Sequence, residues 1–349
     1  MTRVGDRRSC SVSALRRCLG LLALAAVAGL STACSGGVVT LPPATPVGLY
    51  VATEPRLGGS PSDRAVLVFP LGASGDTAPI RRIAGTRTGF SDTDVAFGGV
   101  AVNRDGQVFV ALNFLGALGT VAQVLVFPRM ADGDVEPVRR FGAGGFRVDG
   151  MALGQDGRVY LACDDDAVRV YAPGAAGPVA SPERTISGPR TLLSGPTGIA
   201  VDSDGFIYVA NRTSNRVVVF APGASGDAAP AHQFSGPLTE LSSPAGLALG
   251  FDLLWVTNPF GVAPRITVYG TRHPPNFPPV FKIEGPNTLL VTPFGIVLDR
   301  TRQVFVADGF RRGVLVYAPG SWGDVAPARR IEGPNTRLGL PRFVALYEE

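Results

Sequence analysis

Side chains that could carry out chemistry are scarce in this chain, and histidine is the scarcest. Among 349 residues only His232 and His273 are histidines, although hydrolases and metal-dependent lyases usually need this residue as a base or a ligand. His232 occupies a repeated position where other copies hold Arg81 or Arg139, and His273 lies in a Pro-containing loop. The sequence also lacks a GxSxG elbow, a phosphate-binding glycine loop and a paired-cysteine metal site. We therefore predict no catalytic residue and favour a protein that is not an enzyme.

Polar residues end several short apolar runs at equivalent positions of a repeat, and three of them are Asn211, Asn258 and Asp308. An Asn or Asp at such a position commonly bonds to nearby backbone and shapes the turn. The same oxygens could instead converge on a divalent cation, with Glu54 as the one acid able to complete the set. Leu112, at the equivalent place, does not fit such a set. We predict no metal site and assign the three residues to a binding face.

Two acidic segments invite a calcium interpretation. Asp164, Asp165 and Asp166 form the densest acidic run, and residues 202–205 read Asp-Ser-Asp-Gly. Neither segment supplies the further ligands of a calcium loop, and Asp-Gly after a strand is typical of a tight hairpin. We expect no cofactor, and calcium on the Asp164 loop is the alternative.

Arginines recur in the loops that should share one face of the molecule with these polar residues. The candidate binding face consists of Arg190, Asn211, Arg212, Asn258, Asp308, Arg311, Arg312 and Arg337, and Arg87 and Arg342 could join it. Such a face would suit an acidic protein partner or the carboxylates of a glycan.

The basic excess of the chain lies in its first residues. The formal net charge is +4, but five of the 32 basic residues and one of the 28 acidic residues lie in residues 1–33. The remaining chain is electrically balanced. Binding to nucleic acid, which relies on clustered positive charge, therefore loses its support.

Residues 1–33 have the organisation of an export signal. Five arginines precede the apolar run LGLLALAAVAGL at residues 19–30, and the small residues Ser31 to Ala33 lead to Cys34. The run would span about 18 Å as a helix, which is too short for a bilayer core. The segment STAC resembles a bacterial lipobox, apart from Ser31 where Leu is usual. The resemblance implies cleavage before Cys34 and acylation of Cys34 with chains such as palmitate.

We therefore expect residues 1–33 to be a lipoprotein signal peptide, residues 34–46 to comprise lipidated Cys34 and a flexible tether, and residues 47–349 to form the domain. The protein would be a lipoprotein of the cell envelope, anchored to a membrane and facing the periplasm or the cell exterior. Ordinary cleavage near Ala33, without lipid, is the alternative. Cys163 is then the one cysteine left in the domain, so no disulfide can form.

The rest of the chain is a repeat with spacings of 51, 48, 48 and 49 residues. The copies begin with runs of the type Gly-Val-Ala-Val at Gly99, Gly150, Gly198, Gly246 and Gly295, and a sixth copy begins at Phe343. Most copies continue with a tight turn, a second strand such as IYVA (207–210), a third such as VVVF (217–220), and a Gly-rich turn before a fourth. Four antiparallel strands in about 48 residues are typical of a propeller blade.

The two ends of the repeat region complete each other. Residues 49–84 contain strands two, three and four of a copy that lacks strand one, and residues 341–346 form a strand one with nothing after it. We therefore predict an all-β fold, a six-bladed β-propeller of four-stranded antiparallel blades. A C-terminal strand would close it by joining the N-terminal blade, and we expect a monomer.

Residues 198–223, GIAVDSDGFIYVANRTSNRVVVFAPG, resemble the NHL repeat, and the span from about 48 to 346 looks like a six-bladed propeller of that type. The resemblance implies a fold shared by partner-binding modules, lyases and relatives of lactonases. The lyases need a histidine-bound metal, which two displaced histidines do not supply. We predict a non-catalytic binding or scaffold protein for a protein or glycan. A metal-dependent, lactonase-like hydrolase with its site in the central channel is the alternative.

Overall fold

The computed structural model describes residues 47–90, 94–116, 119–272 and 274–348. In these residues short runs of Val, Ile, Leu, Phe and Tyr form 24 strands, because β-branched and aromatic side chains pack well on a pleated, buried surface. The strands form six sheets of four, which we call blades I–VI. In the same residues no helix has the length and apolar character needed to cross a membrane. The predicted signal peptide, Cys34 and the tether lie outside the described residues.

The four strands of every blade are antiparallel and follow one another from the ring axis outward. Blade I consists of β24 (Leu340–Tyr347), β1 (Gly48–Glu54), β2 (Ala65–Phe69) and β3 (Arg81–Ile83). Blade II consists of β4 (Val95–Val102), β5 (Val108–Gly116), β6 (Gly119–Phe127) and β7 (Arg139–Gly144). Blade III consists of β8 (Val148–Leu153), β9 (Val159–Cys163), β10 (Ala167–Tyr171) and β11 (Arg184–Ser187). Blade IV consists of β12 (Pro196–Val201), β13 (Ile207–Asn211), β14 (Arg216–Phe220) and β15 (His232–Phe234). Blade V consists of β16 (Leu247–Gly250), β17 (Leu253–Asn258), β18 (Arg265–Gly270) and β19 (Phe281–Glu284). Blade VI consists of β20 (Pro293–Leu298), β21 (Val304–Asp308), β22 (Gly313–Tyr317) and β23 (Arg329–Ile331). Short 3-10 helices occupy Pro61–Asp63, Pro189–Thr191, Pro237–Thr239, Pro286–Thr288 and Pro334–Thr336.

The ring closes through β24, which pairs with β1 although the two strands come from opposite ends of the domain. Ala52 lies opposite Phe343, and Leu49 lies opposite Leu346. The predicted all-β, six-bladed propeller with a composite blade is therefore confirmed.

The hydrophobic core is divided into six clusters, one between each pair of neighbouring blades. Between blades I and II, for example, Tyr50 and Val68 pack with Val100 and Val110, and all four are buried. Equivalent clusters join the other neighbours around the ring. Because a blade buries both of its faces against other blades, no blade has a core of its own.

The repeated glycine of the inner strand lets neighbouring blades approach each other at the axis. A Cβ at Gly198 would lie 2.1 Å from the carbonyl oxygen of Ala245, and one at Gly150 would lie 1.9 Å from that of Thr197. Any side chain there would push two inner strands apart. This close approach explains why glycine marks the period of the repeat.

A second set of contacts joins the blades at the perimeter. Asp76, in the turn between β2 and β3, accepts a hydrogen bond of 2.7 Å from the backbone nitrogen of Asn335 in the loop after blade VI. Ile331 of the outer strand β23 also bridges to Gly75 of the same turn. The corresponding turns supply Asp134, Asp227, Asn276 and Asp324 to the preceding blades. In five of the six blades such a bridge pairs one residue of the outer strand edge within the molecule, which leaves less of that edge open to another chain.

Candidate binding site at the mouth of the central channel

The inner strands of all six blades line a cavity of about 90 Å³ on the ring axis. The inner strands begin at one end of the channel, and we call this end the mouth. The surface around it, where strand two of each blade ends, is the mouth face. The opposite surface, which carries the turns between strands one and two, is the far face. The residue before the repeated inner-strand position lines the mouth in five blades, and these residues are Asp149, Thr197, Ala245, Phe294 and Arg342. Gly98 has the equivalent position in blade II.

An apolar ring lies deeper in the channel. It consists of Val100, Met151, Ile199, Leu247, Ile296 and Val344, which line the cavity and are all buried. None of these side chains can ionise or accept a proton. We call the cavity bounded by the apolar ring and the mouth residues the central cup.

Two arginines reach the central cup, and aromatic rings hold both of them. The guanidinium carbon of Arg342 lies 5.3 Å from the ring centre of Phe294 and 5.5 Å from that of Phe343. That of Arg212, in the loop after β13, lies 5.7 Å from the ring centre of Phe260. Phe260 and Phe294 pack edge to face at 6.1 Å. Contacts of this kind attract a cation to the ring face and hold it in place.

The Arg342 guanidinium has no oxygen partner among the described residues, since its contacts are the two phenylalanine rings. Burial lowers the pKa of Arg342 from its ordinary value, while Asp149 and Glu54 act to raise it. An arginine remains charged even so. A charge that is partly removed from water without a hydrogen-bonding partner is destabilising. The Arg342 guanidinium is therefore suited to donate hydrogen bonds to an anionic ligand.

The two carboxylates that act on Arg342 are each paired with another arginine. Asp149 lies 2.7 Å from Arg147, and Glu54 lies 2.7 Å from Arg64. Each pair is close to neutral, so the two arginines of the central cup give the mouth an excess of positive charge.

Asn211, Asn258 and Asp308 lie at the mouth face but beneath its surface, fully buried. The side-chain oxygen of Asn211 accepts a hydrogen bond from the backbone nitrogen of Ser194 (3.2 Å), and that of Asn258 accepts one from Ser242 (2.9 Å). Each side chain therefore holds the loop that leads into the inner strand of its own blade, which is the turn-setting role that such a residue commonly has.

Asp308 has the same position in blade VI. Its two carboxylate oxygens accept hydrogen bonds from the backbone nitrogens of Val291 (2.7 Å) and Thr292 (2.9 Å). Burial raises the pKa of Asp308, and the backbone donors act against this rise. Since Glu54 is paired with Arg64, the members of the possible cation set are bonded separately. Residues 47–348, as far as they are described, contain no cluster of three His, Cys, Asp or Glu side chains able to hold a metal.

The other candidate arginines do not line the central cup. Arg312 and Arg337 are exposed in loops, and Arg190 is exposed in the 3-10 helix Pro189–Thr191. Arg311 is partly buried in an ion pair with Glu332 at 3.0 Å. Of the eight residues predicted for one face, the structure therefore brings only Arg212 into the cup. A role of the exposed arginines in binding stays a prediction.

The acidic run and His232 lie apart from the central cup. Asp165 bonds Arg169 through both carboxylate oxygens (2.7 and 2.6 Å), and Asp166 accepts a hydrogen bond from the backbone nitrogen of Gly195 (2.8 Å). Calcium binding on this loop stays a prediction. His232 lies in β15, the outer strand of blade IV, and its ring packs edge to face with Phe234 at 4.8 Å. His273 lies outside the described residues.

Exposed apolar side chains occupy the mouth-face ends of strands two and three and the loops that connect them, and sequence analysis did not single them out. They are Leu57 in blade I, Leu115 and Val121 in blade II, Phe260 and Val262 in blade V, and Phe310 in blade VI, with exposures from 40% to 100%. We call these six residues the apolar tips. Apolar side chains interspersed with arginine are typical of surfaces that bind another protein.

Sequence analysis also did not single out Asp149, Phe260 and Phe294 at the cup. A usable signal existed for two of them, because Asp149 and Phe294 directly precede a repeated glycine. Aligning the six copies on that position, which is Phe343 in the sixth copy, would have shown that the preceding residues lie at equivalent places near the axis.

The closed ring of six four-stranded blades around an axial cup defines the class of this protein, a six-bladed β-propeller. The family described as the NHL repeat matches residues 193–220, which span the first three strands of blade IV. The chain is thus a propeller that contains an NHL repeat.

Solved structures share this fold at low sequence identity. A chain in the crystal structure of a nidogen/laminin complex is 12% identical, with a TM-score of 0.56 over 86% of this chain and 97% of that chain. A protein of unknown function from Bacteroides caccae is 9% identical, with a TM-score of 0.59 over 87% of this chain and 100% of that chain. Such similarity shows the fold alone. No curated protein matches the chain significantly.

Proposed function

We propose that this chain is an exported, membrane-anchored propeller that acts as a non-catalytic binding or scaffold protein, and that its partner docks on the mouth face. The partner would be a protein or a glycan. The observation that carries the proposal is that four of the six blades carry apolar tips on the mouth face, beside a mouth with two arginines that have no ion pair among the described residues. Because the apolar tips offer contact area rather than hydrogen bonds, they favour a protein over a glycan.

Two further observations support binding without chemistry. The polar side chains that could have formed a catalytic or metal set at the channel are buried and bonded to backbone within the loops. The apolar ring supplies no proton donor or acceptor to the deeper part of the cup.

The paired outer strand edges favour a monomer, because they leave little backbone for another chain to join.

The proposal is tested by using the tagged full-length chain as bait in solubilised cell envelopes. Arg212→Glu and Phe310→Ser change the mouth face, and Arg104→Glu is the matched control. Arg104 is exposed in the turn between β4 and β5 on the far face, where its carbonyl oxygen accepts a hydrogen bond from Tyr347 (3.1 Å). We expect a partner that the wild-type chain and Arg104→Glu retain and that both mouth variants lose by about tenfold or more. A partner lost by Arg104→Glu and kept by both mouth variants would overturn the proposal.

A further inference from the structure

The central cup combines two chemical features that point to one class of ligand. Its mouth holds Arg342 and Arg212, and neither side chain has a hydrogen bond or ion pair to a described residue. Its deeper wall is the apolar ring, and the mouth residue Phe294 also lines the cup. A ligand that satisfies both zones carries an anionic group at one end and an apolar group at the other.

We infer that the central cup binds a carboxylate carried on a compact apolar or aromatic group, with the carboxylate at Arg342 and Arg212 and the apolar group against the apolar ring. This inference deepens the proposed function and rests on it, since it names the chemistry recognised at the centre of the mouth face. Arginine suits the anion because its planar fork can donate two parallel hydrogen bonds to one carboxylate.

The size of the cup limits the apolar group. A volume of about 90 Å³ is several times the roughly 10–15 Å³ that a single ordered water requires. This space fits a group on the order of six to eight heavy atoms, such as a phenyl or a short branched alkyl group. A second ring would have to remain outside the cup.

Sugars fit the cup poorly, because few polar groups remain to bond their hydroxyls. Among the lining side chains Thr197 is already bonded to the carbonyl oxygens of Pro244 (3.0 Å) and Ala210 (3.3 Å), and Asp149 is paired with Arg147. A buried hydroxyl without a partner loses its bonds to water and gains none. The same apolar carboxylate can come from a free acid or from the C-terminal residue of a polypeptide.

Calorimetric titration of the full-length chain, purified in a non-ionic detergent, tests the inference with defined probes. The first pair is 3-phenylpropionate and its neutral counterpart 3-phenylpropanol. The second pair is a short peptide that ends in phenylalanine, with a free or an amidated C-terminus. We expect the carboxylate member of at least one pair to bind about tenfold or more tightly than its neutral counterpart. Binding of the peptide alone would identify a polypeptide end as the source, and binding of both acids would identify the shared chemistry.

Three variants test the residues. Arg342→Gln and Arg212→Gln should each weaken carboxylate binding by about tenfold to a hundredfold, and Arg104→Gln on the far face should leave it within about twofold. Thermal melting shows whether each variant is folded. If Arg342→Gln does not fold, carboxylate binding by Arg212→Gln, a substitution at an exposed residue, tests the inference. Equal binding of acid and neutral probes, no binding of any probe, or unchanged binding by the folded mouth variants would overturn the inference. In each case partner capture that still depends on Phe310 would leave the proposed function standing.

Discussion

Replacing Gly198 with alanine adds one methyl group at the closest approach between two blades. Its Cβ would lie 2.1 Å from the carbonyl oxygen of Ala245, whereas ordinary contact begins at 3.4 Å, so one strand must move by about 1.3 Å. The obstacle is backbone, and Ala245 is held by a 2.9 Å hydrogen bond from its nitrogen to the carbonyl oxygen of Thr257. We expect a loss of about 3 kcal/mol, the upper part of the usual range for overpacking.

Gly72→Ala is the matched control. A Cβ at Gly72 would meet no atom within 4 Å, and its backbone conformation suits any residue, so this substitution should be neutral or stabilise by about 0.4–1 kcal/mol. Urea unfolding can be monitored by circular dichroism. If the unfolding free energy falls by about 3 kcal/mol per molar urea, the urea midpoint of Gly198→Ala should lie about 1 M below that of Gly72→Ala. If the unfolding free energies of Gly198→Ala and Gly72→Ala differ by less than about 1 kcal/mol, close contact between inner strands is not the reason that residue 198 is glycine.

Titration, alkylation and membrane fractionation check three other parts of the reasoning. Because burial raises the pKa of Asp308, the folded state keeps a proton that the unfolded chain loses, so stability should fall as pH rises from about 3.8 through the raised pKa. Urea unfolding at several pH values should show this fall in unfolding free energy in the wild type and not in Asp308→Asn. If the variant keeps the fall, a group other than Asp308 causes it. Burial raises the pKa of the Cys163 thiol to about 12, so mass spectrometry should find it alkylated by iodoacetamide in urea and unmodified in the folded chain. Cys34→Ala should release the chain from membranes and move it to the aqueous phase when it is partitioned in detergent, whereas the control Cys18→Ala should not. Membrane retention of Cys34→Ala would contradict lipidation.

The fold could be predicted from sequence because the same inner-strand contact recurs in five of the six blades. Gly150 and Gly198 must both be glycine for one reason, the nearby carbonyl oxygen of the next blade, and that shared reason produces a visible period. The ring closure could be predicted as well, since residues 341–346 supply the one strand that the first copy lacks. Physical constraints that repeat leave a pattern in a single sequence.

The central cup could not be predicted in the same way, because it depends on differences between blades. Arg342, Phe294 and Asp149 occupy equivalent positions, yet they have unrelated side chains and lie far apart in sequence. Their proximity arises only when the ring closes. Asn113 shows a related effect, since it follows Leu112, the residue of blade II that corresponds to Asn211, and its side chain contacts the next blade instead of its own. The side chain of Asn113 bonds both backbone groups of Val148, at 2.8 Å each.

The position where the chain enters blade I determines how the molecule could be displayed. Gly48 is paired with Tyr347 at the end of β1 away from the mouth, so whatever precedes residue 47 is covalently joined to the far face. With acyl chains on Cys34, residues 35–46 would span at most about 40 Å when extended. Such an attachment would hold the propeller by its base, and the proposed binding surface would remain accessible to molecules approaching from the side away from the bilayer.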